Sequence, residues 1–381
     1  MKVEASNQLL VLALTLCGVN SIGTTEPDGT LDPAIPPSFL APDGEITDPT
    51  ILNPAPEFPA PLDGTPNISI VAQSKLNDFL LLEQYAAASY CDYNNNYPQG
   101  GRRLACDNDV CPDLDPLDQI TEYEFVHPPG FLGWSSTGYI ATDNSNHLTI
   151  LAFRGSHDVG DFIRDAQLVM TSTGLCPVVC LAHSGFWNTW KLSSNDIINA
   201  LLPVVRQNPQ NRLVITGHSL GGALATLAAT VLRGPPYNLE LDLYTFGSPR
   251  VGNYFLARHI SRQGMGNNYR VSHIHDPVPG LPLKGLPPFG YFHVWPQWYI
   301  TSGNNVSVTV NDINEYNWNE EAMAITDVEP PAGYDTDVTT ALDIPNVAAH
   351  LWYFRQVSGC TLTTPTTALA TFRRRQRIRR Q

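Results

Sequence analysis

The stretch Arg212-Leu213-Val214-Ile215-Thr216-Gly217-His218-Ser219-Leu220-Gly221-Gly222-Ala223-Leu224-Ala225 decides how the chain is read. Its first residues form an apolar, β-branched run of the kind that makes a buried strand. From Ala223 to Leu232 the composition turns helical, and that run stops at Gly234-Pro235-Pro236. Between them Gly217, Ser219 and Gly221 match G-x-S-x-G in the order strand, tight turn, helix. A serine that is to react must stand on a sharp, strained turn. Gly217 and Gly221 remove the Cβ atoms that would strike the neighbouring strand or helix. Gly222, Ala223 and Ala225 keep the helix surface small, so it can lie close to a sheet. The helix N-terminus aims at the same point, which places the Leu220 N–H to donate to a developing oxyanion. The bland alternative is an ordinary Gly-rich turn, and the two flanks argue against it.

Working outward, the 381 residues suffice for one large α/β domain, and an apolar fraction of 43% supplies a sizeable core. The formal net charge of −14 excludes nucleic acid as an expected partner. Six arginines between Arg373 and Arg380 mask a body that is more acidic still. Beyond the N-terminus no run is long enough to span a membrane. Met1-Lys2 followed by the apolar run Leu9–Gly18 resembles a secretory signal peptide, with cleavage near Gly23. Residues 24–70 read as a disordered linker or propeptide. From Thr24 to Pro66 there are eleven prolines, eight acidic residues and neither Lys nor Arg, too little apolar surface to offset the entropy of ordering. The folded domain is expected over 71–361, and 362–381 as a basic, disordered tail.

Seven cysteines are present. Cys17 would leave with the leader, and the remaining six suggest three disulfides in an exported chain. Several connectivities are open. The tight spacings Cys106–Cys111 and Cys176–Cys180 look like local loops. No histidine pair accompanies them, so neither a zinc site nor any other metal or cofactor is expected. Asn67-Ile68-Ser69 and Asn305-Val306-Ser307 are N-glycosylation sequons.

Along the domain, Lys75–Ser89 is helix-like, with Leu76, Phe79, Leu80 and Glu83 in an amphipathic rhythm. Cys91–Asp118 reads as loop. Strands are expected at Phe125, 138–142, 148–153, 212–216, 241–246 and 269–274. Helices are expected over Phe186–Gln207, broken near Pro203, and over Tyr254–Ser261. This alternation predicts a single domain built on a mostly parallel central sheet covered by helices on both faces, an α/β-hydrolase fold.

In that fold the acid and the histidine follow the nucleophile in the chain. Asp276 is the best acid, because it lies where a strand ends and Pro277 and Pro279 stop continuation. Asp242 starts a strand, the wrong end. The base is His293 or His350. The first sits among aromatics in Tyr291-Phe292-His293-Val294-Trp295, and the second in a loop after Pro345. The residues alone favour His350 only modestly.

Six stretches carry a resemblance. They are Tyr85–Cys91, Phe153-Arg154-Gly155-Ser156, Gly217–Thr226, Gly247-Ser248-Pro249-Arg250-Val251-Gly252-Asn253, Asp276-Pro277-Val278-Pro279 and Ala349–Phe354. From Val71 to Cys360 the chain resembles the fungal class 3 triacylglycerol lipases of the Thermomyces and Rhizomucor type. The resemblance implies a triad of Ser219, Asp276 and His350, with Ser156 and Leu220 forming the oxyanion hole. It implies disulfides joining Cys91 to Cys360, Cys106 to Cys111 and Cys176 to Cys180. It also implies a short helical lid after Ser156, where Val159, Phe162 and Ile163 make one apolar face. These three, with Tyr90, Val278, Ile344 and Leu351, are the expected substrate-lining residues. Gly160 in the lid, Gly280 after the acid and a longer loop before His350 depart from the well-known relatives. The implied protein is a secreted, monomeric lipase working on lipid at an oil–water interface. Two alternatives are a feruloyl-type esterase on the same fold and a catalytically silent lipid- or glycan-binding protein.

Overall fold

Alternation of side chains along the strands builds the fold. In the computed structural model, which describes residues 71–129, 134–156, 169–177, 179–282, 290–316 and 347–360, strand β1 is Gln119–His127, β2 Ser136–Asp143 and β3 Leu148–Phe153. A small hairpin follows, of β4 (Met170–Ser172) and β5 (Leu181–His183). Then come β6 (Arg212–His218), β7 (Asp242–Phe246), β8 (Asn268–His273), β9 (Gln297–Ile300) and β10 (Ile313–Tyr316). The main sheet has the order β1-β2-β3-β6-β7-β8-β9-β10. Its centre, β3 to β9, is parallel, and its two margins, β1-β2-β3 and β9-β10, are antiparallel.

Leu151 and Phe153 of β3, Leu213 and Ile215 of β6, and Leu243 of β7 point into one apolar layer. Ile150 and Ala152, Val214, and Tyr244 and Phe246 point into the other. Helices α2 (Ser184–Gln207), α3 (Leu220–Arg233) and α4 (Tyr254–Arg262) cover the first layer. Helix α1 (Gln73–Ala88) and the C-terminal segment around Tyr353, Phe354 and Val357 cover the second. A sheet buried on both faces needs strands that are apolar throughout, which is why the β6 stretch carries no alternation of polar and apolar residues.

The caps follow from side-chain chemistry. Helix α2 is capped by His183, whose Nδ1 accepts from the Gly185 and Phe186 N–H groups at 3.1 and 3.4 Å. Helix α4 is capped by Asn253, whose Oδ1 accepts from the Leu256 and Leu181 N–H groups. The three disulfides join Cys91 to Cys360, Cys106 to Cys111 and Cys176 to Cys180, with Cα separations of 5.1, 5.7 and 5.9 Å. The first spans 269 residues and ties the end of α1 to the C-terminal segment.

Three expectations change. Pro203 does not break α2, because it sits in the last turns, where it costs one backbone bond while Leu201 and Val204 stay anchored in the core. The strands β9 and β10 extend the sheet beyond the expected set. The turn-rich loop before β1 keeps its expected character, with single 3-10 turns at Asp92–Asn94 and Pro112–Leu114. His350 closes a short helix, α5 (Val347–His350), rather than lying in a loop. The leader and linker with Asn67, the lid residues Val159, Phe162 and Ile163, the substrate candidate Ile344 and the basic tail lie outside the described residues.

One buried group in α1 has a thermodynamic consequence. Glu83 is fully buried, and among the described residues neither carboxylate oxygen has a hydrogen bond of normal geometry. Burial outweighs the Arg355 N–H and guanidinium nearby and lifts its pKa from 4.5 to about 8. The folded chain therefore binds this proton more tightly than the unfolded chain, so stability falls as pH rises from about 4.5 to about 8. Glu83→Gln is expected to remove that slope. Urea unfolding at the two ends of the window should show the variant gaining a few kcal/mol over wild type at the alkaline end. Parallel wild-type and variant curves would contradict the burial argument.

Candidate active site

The elbow is strained, and the neighbouring strands hold the strain in place. Ser219 has φ 58° and ψ −130°, a region that non-glycine residues enter at a cost of about 1–3 kcal/mol. Its N–H donates to the Phe246 carbonyl at the end of β7 at 3.0 Å, and its carbonyl accepts from Gly222 and Ala223 in the first turn of α3. A Cβ at Gly217 would collide with the Gly221 carbonyl, and one at Gly221 with the Phe153 carbonyl of β3. The two motif glycines are thus required by close approach of backbone. Ser219 is buried, and among the described residues its Oγ has no hydrogen-bond partner.

Asp276 lies three residues past β8, at the same carboxyl edge of the sheet as Ser219 after β6 and Ser156 after β3. Its carboxylate faces His350 Nδ1 at 3.0 and 2.9 Å. Oδ1 also accepts from the Val278 N–H at 2.9 Å, and Oδ2 from the Tyr353 hydroxyl at 2.5 Å. A buried carboxylate with this many donors has its charge well satisfied. The loop that carries it is pinned by Arg250, which donates from Nη1 to the Gly280 and Pro282 carbonyls at 2.6 and 3.0 Å. With both Nδ1 bonds directed at an acceptor, Nδ1 carries the proton and Nε2 keeps its lone pair. His350 Nε2 is buried and, among the described residues, bonds to no protein atom, Ser219 Oγ included. Such contacts are commonly long in a free enzyme and tighten with substrate.

The two histidines that competed on sequence separate clearly. His293 is buried and its Nε2–H donates to the Pro279 carbonyl at 2.6 Å. Burial, with Arg270 and Arg250 near it, pushes its pKa far below the ordinary value. It contacts the acid loop by packing and by one backbone bond.

Four residues acquire partners that the sequence did not reveal. Tyr353, in the stretch Ala349–Phe354, donates its hydroxyl to Asp276 Oδ2. Tyr90 is almost wholly buried, and its hydroxyl lies 2.7 Å from His218 Nδ1. His218 Nε2 lies 2.8 Å from the His350 carbonyl oxygen. His273, at the end of β8, faces the Ala349 and Ser302 carbonyls at 3.1 and 2.9 Å. The signal for His218 was its place directly before Ser219, but its partner is 132 residues away. Of the other candidates, Ser156 and Leu351 are half-buried, Leu220 is buried at the head of α3, and Val278 is fully enclosed in the core. Among the described residues the clustered sulfurs of Cys91, Cys106 and Cys360 all lie in disulfides, which leaves them no thiolate for a metal. No helix among the described residues is long and apolar enough to cross a membrane.

A mixed sheet with helices on both faces and a serine on a strained turn after a central strand defines the α/β-hydrolase fold class. Residues 150–286 match the family model described as lipase (class 3). The chain is 43% identical over 291 residues to "secreted mono- and diacylglycerol lipase A" of Penicillium cyclopium, covering 76% of this chain and 88% of that one. It is 34% identical over 293 residues to "secreted mono- and diacylglycerol lipase 1" of Fusarium solani, covering 76% and 79%. The crystal structure of a mono- and diacylglycerol lipase from Aspergillus oryzae matches with a TM-score of 0.65 at 34% identity, over 76% of this chain and 100% of that one. The chain belongs to the class 3 lipase family, and with it to the carboxylic ester hydrolases.

Proposed function

We propose that this protein is a secreted acylglycerol hydrolase whose nucleophile is Ser219, whose base is His350 and whose orienting acid is Asp276. The observation that carries the reading is the contact of both Asp276 oxygens with His350 Nδ1, which leaves Nε2 without a partner among the described residues at the carboxyl edge where Ser219 stands. In this mechanism Nε2 takes the Ser219 proton as Oγ attacks the ester carbonyl. The Leu220 N–H and the Ser156 N–H and hydroxyl donate to the oxyanion. The imidazolium then gives its proton to the departing glycerol alcohol, and a covalent acyl-enzyme remains on Ser219. Water, activated by the same Nε2, releases the fatty acid. Asp276 fixes the tautomer and stabilises the cation without itself taking the proton.

For substrate, relatives named for mono- and diacylglycerols at 34–43% identity favour partial acylglycerols over triacylglycerols. The same relatives are named as secreted, which agrees with the leader and with the three disulfides. Asn305, exposed and in the left-handed region at φ 59°, is the proposed glycan acceptor among the described residues. The lid helix over Val159, Phe162 and Ile163 and the lining role of Ile344 belong to this proposal as well.

A panel of monoolein, diolein, triolein and methyl ferulate, assayed with and without an emulsion interface, tests the substrate assignment. Turnover of the first two should exceed that of triolein by at least about tenfold, a gap of some 1.4 kcal/mol in transition-state binding, with methyl ferulate a poor substrate. Preference for triolein or for methyl ferulate would contradict it.

A further inference from the structure

The proposed base sits on α5, a single helical turn of four residues. A turn this short does not hold its own shape, so bonds from elsewhere must fix where the imidazole lies. Asp276 fixes the ring. The backbone of His350 is held by a second group, His218, whose imidazole lies with its centroid 4.4 Å from that of His350.

The polarity of this contact follows from the acceptor. The His350 carbonyl can only accept, so His218 Nε2 carries a proton and donates. Burial, with His350 beside it, holds the His218 pKa far below its ordinary value, so the ring is neutral and Nδ1 has a lone pair. The Tyr90 hydroxyl therefore donates to Nδ1 at 2.7 Å. The Gly155 backbone packs directly against the same hydroxyl, since a Cβ at Gly155 would collide with it. Gly155 precedes Ser156, so one continuous line of contacts runs from the loop after β3 through Tyr90 and His218 to the backbone of the base.

We propose that His218 is a positioning residue: locked in its Nε2–H tautomer by Tyr90, it sets the location of the His350 imidazole relative to Ser219 and the oxyanion loop. The proposal rests on the reading of Ser219 and His350 as nucleophile and base. Its chemistry is a bond orientation, with no proton transfer through His218. The strongest reason to assign it function beyond packing is selectivity. A hydrophobic residue would fill the same space, but only a group with one donor and one acceptor on opposite sides satisfies both Tyr90 and the His350 carbonyl.

The test uses the mature chain with p-nitrophenyl butyrate as the ester, recording kcat, KM and the thermal midpoint. His218→Phe retains a ring and loses the donor; His218→Gln keeps an amide donor near the position of Nε2. For His218→Phe, kcat should fall roughly 10- to 100-fold with KM within about twofold, the size expected when a reacting group is misplaced by a fraction of an ångström. For His218→Gln, kcat should recover to within about fivefold of wild type, even where the thermal midpoint stays as low as that of the Phe variant. A merely structural role would tie kcat to the folded fraction and give no such recovery. If His218→Phe fails to fold, Tyr90→Phe decides, since it removes only the hydroxyl that fixes the tautomer; kcat should fall by at least about threefold at constant KM. Full activity in a folded His218→Phe or in Tyr90→Phe, or a folded His218→Gln as slow as the Phe variant, would overturn the proposal. Wild-type turnover and its loss in Ser219→Ala test the nucleophile separately, so the two readings fail distinguishably.

Discussion

Ser219→Ala is expected to lower kcat for any ester substrate by about 10⁴- to 10⁶-fold, with folding unchanged. The size follows from removing the atom on which the acyl-enzyme forms, leaving only oxyanion binding and substrate positioning. Preservation of the fold follows from the structure. Among the described residues the Ser219 hydroxyl makes no hydrogen bond whose loss would cost stability. The strained backbone at φ 58° is fixed by the Ser219 N–H on Phe246 and by the first turn of α3, and alanine keeps both. Circular dichroism and the thermal midpoint should match wild type. Residual turnover near the wild-type rate in a folded variant would remove Ser219 from the mechanism.

The second large effect separates the two histidines. His350→Ala should reduce kcat by roughly 10³-fold or more, because it removes the only imidazole bonded to Asp276 among the described residues. His293→Ala deletes a packed ring and its bond to the Pro279 carbonyl. It should lower stability by a few kcal/mol, the usual size for a large-to-small change in a core, while the folded fraction keeps kcat within about tenfold of wild type. Parallel kinetics and urea unfolding of the two variants separate the effects. A dead, folded His293→Ala beside an active His350→Ala would reverse the assignment of the base.

The elbow was legible because every signal for it is local. A β-branched strand, two close-approach glycines and an alanine-rich helix fall within a stretch of about twenty residues, and each agrees with the next. Asp276 was legible for the same reason, through the strand end and the prolines behind it. The choice between His293 and His350 was not, since burial and hydrogen-bond direction depend on residues far away in the chain. The same holds for Tyr90, for which only the resemblance implied a lining role and which in the fold is turned inward to His218. The strands β9 and β10 have four residues each and too little length to show a period. Pairing with β8 makes β9 a strand, and β9 in turn makes β10 one. Pro203 misled because its position near a helix end matters more than its presence.

Covalent labelling of the nucleophile tests the central claim most directly. Wild-type protein treated with a p-nitrophenyl alkylphosphonate, a trap for the tetrahedral intermediate, should release a single equivalent of p-nitrophenol and lose activity in step. Peptide mass spectrometry should find the phosphonyl group on Ser219, with Ser219→Ala and His350→Ala failing to take it up. A label on another side chain, or full ester hydrolysis surviving complete modification of Ser219, would contradict the acyl-enzyme mechanism.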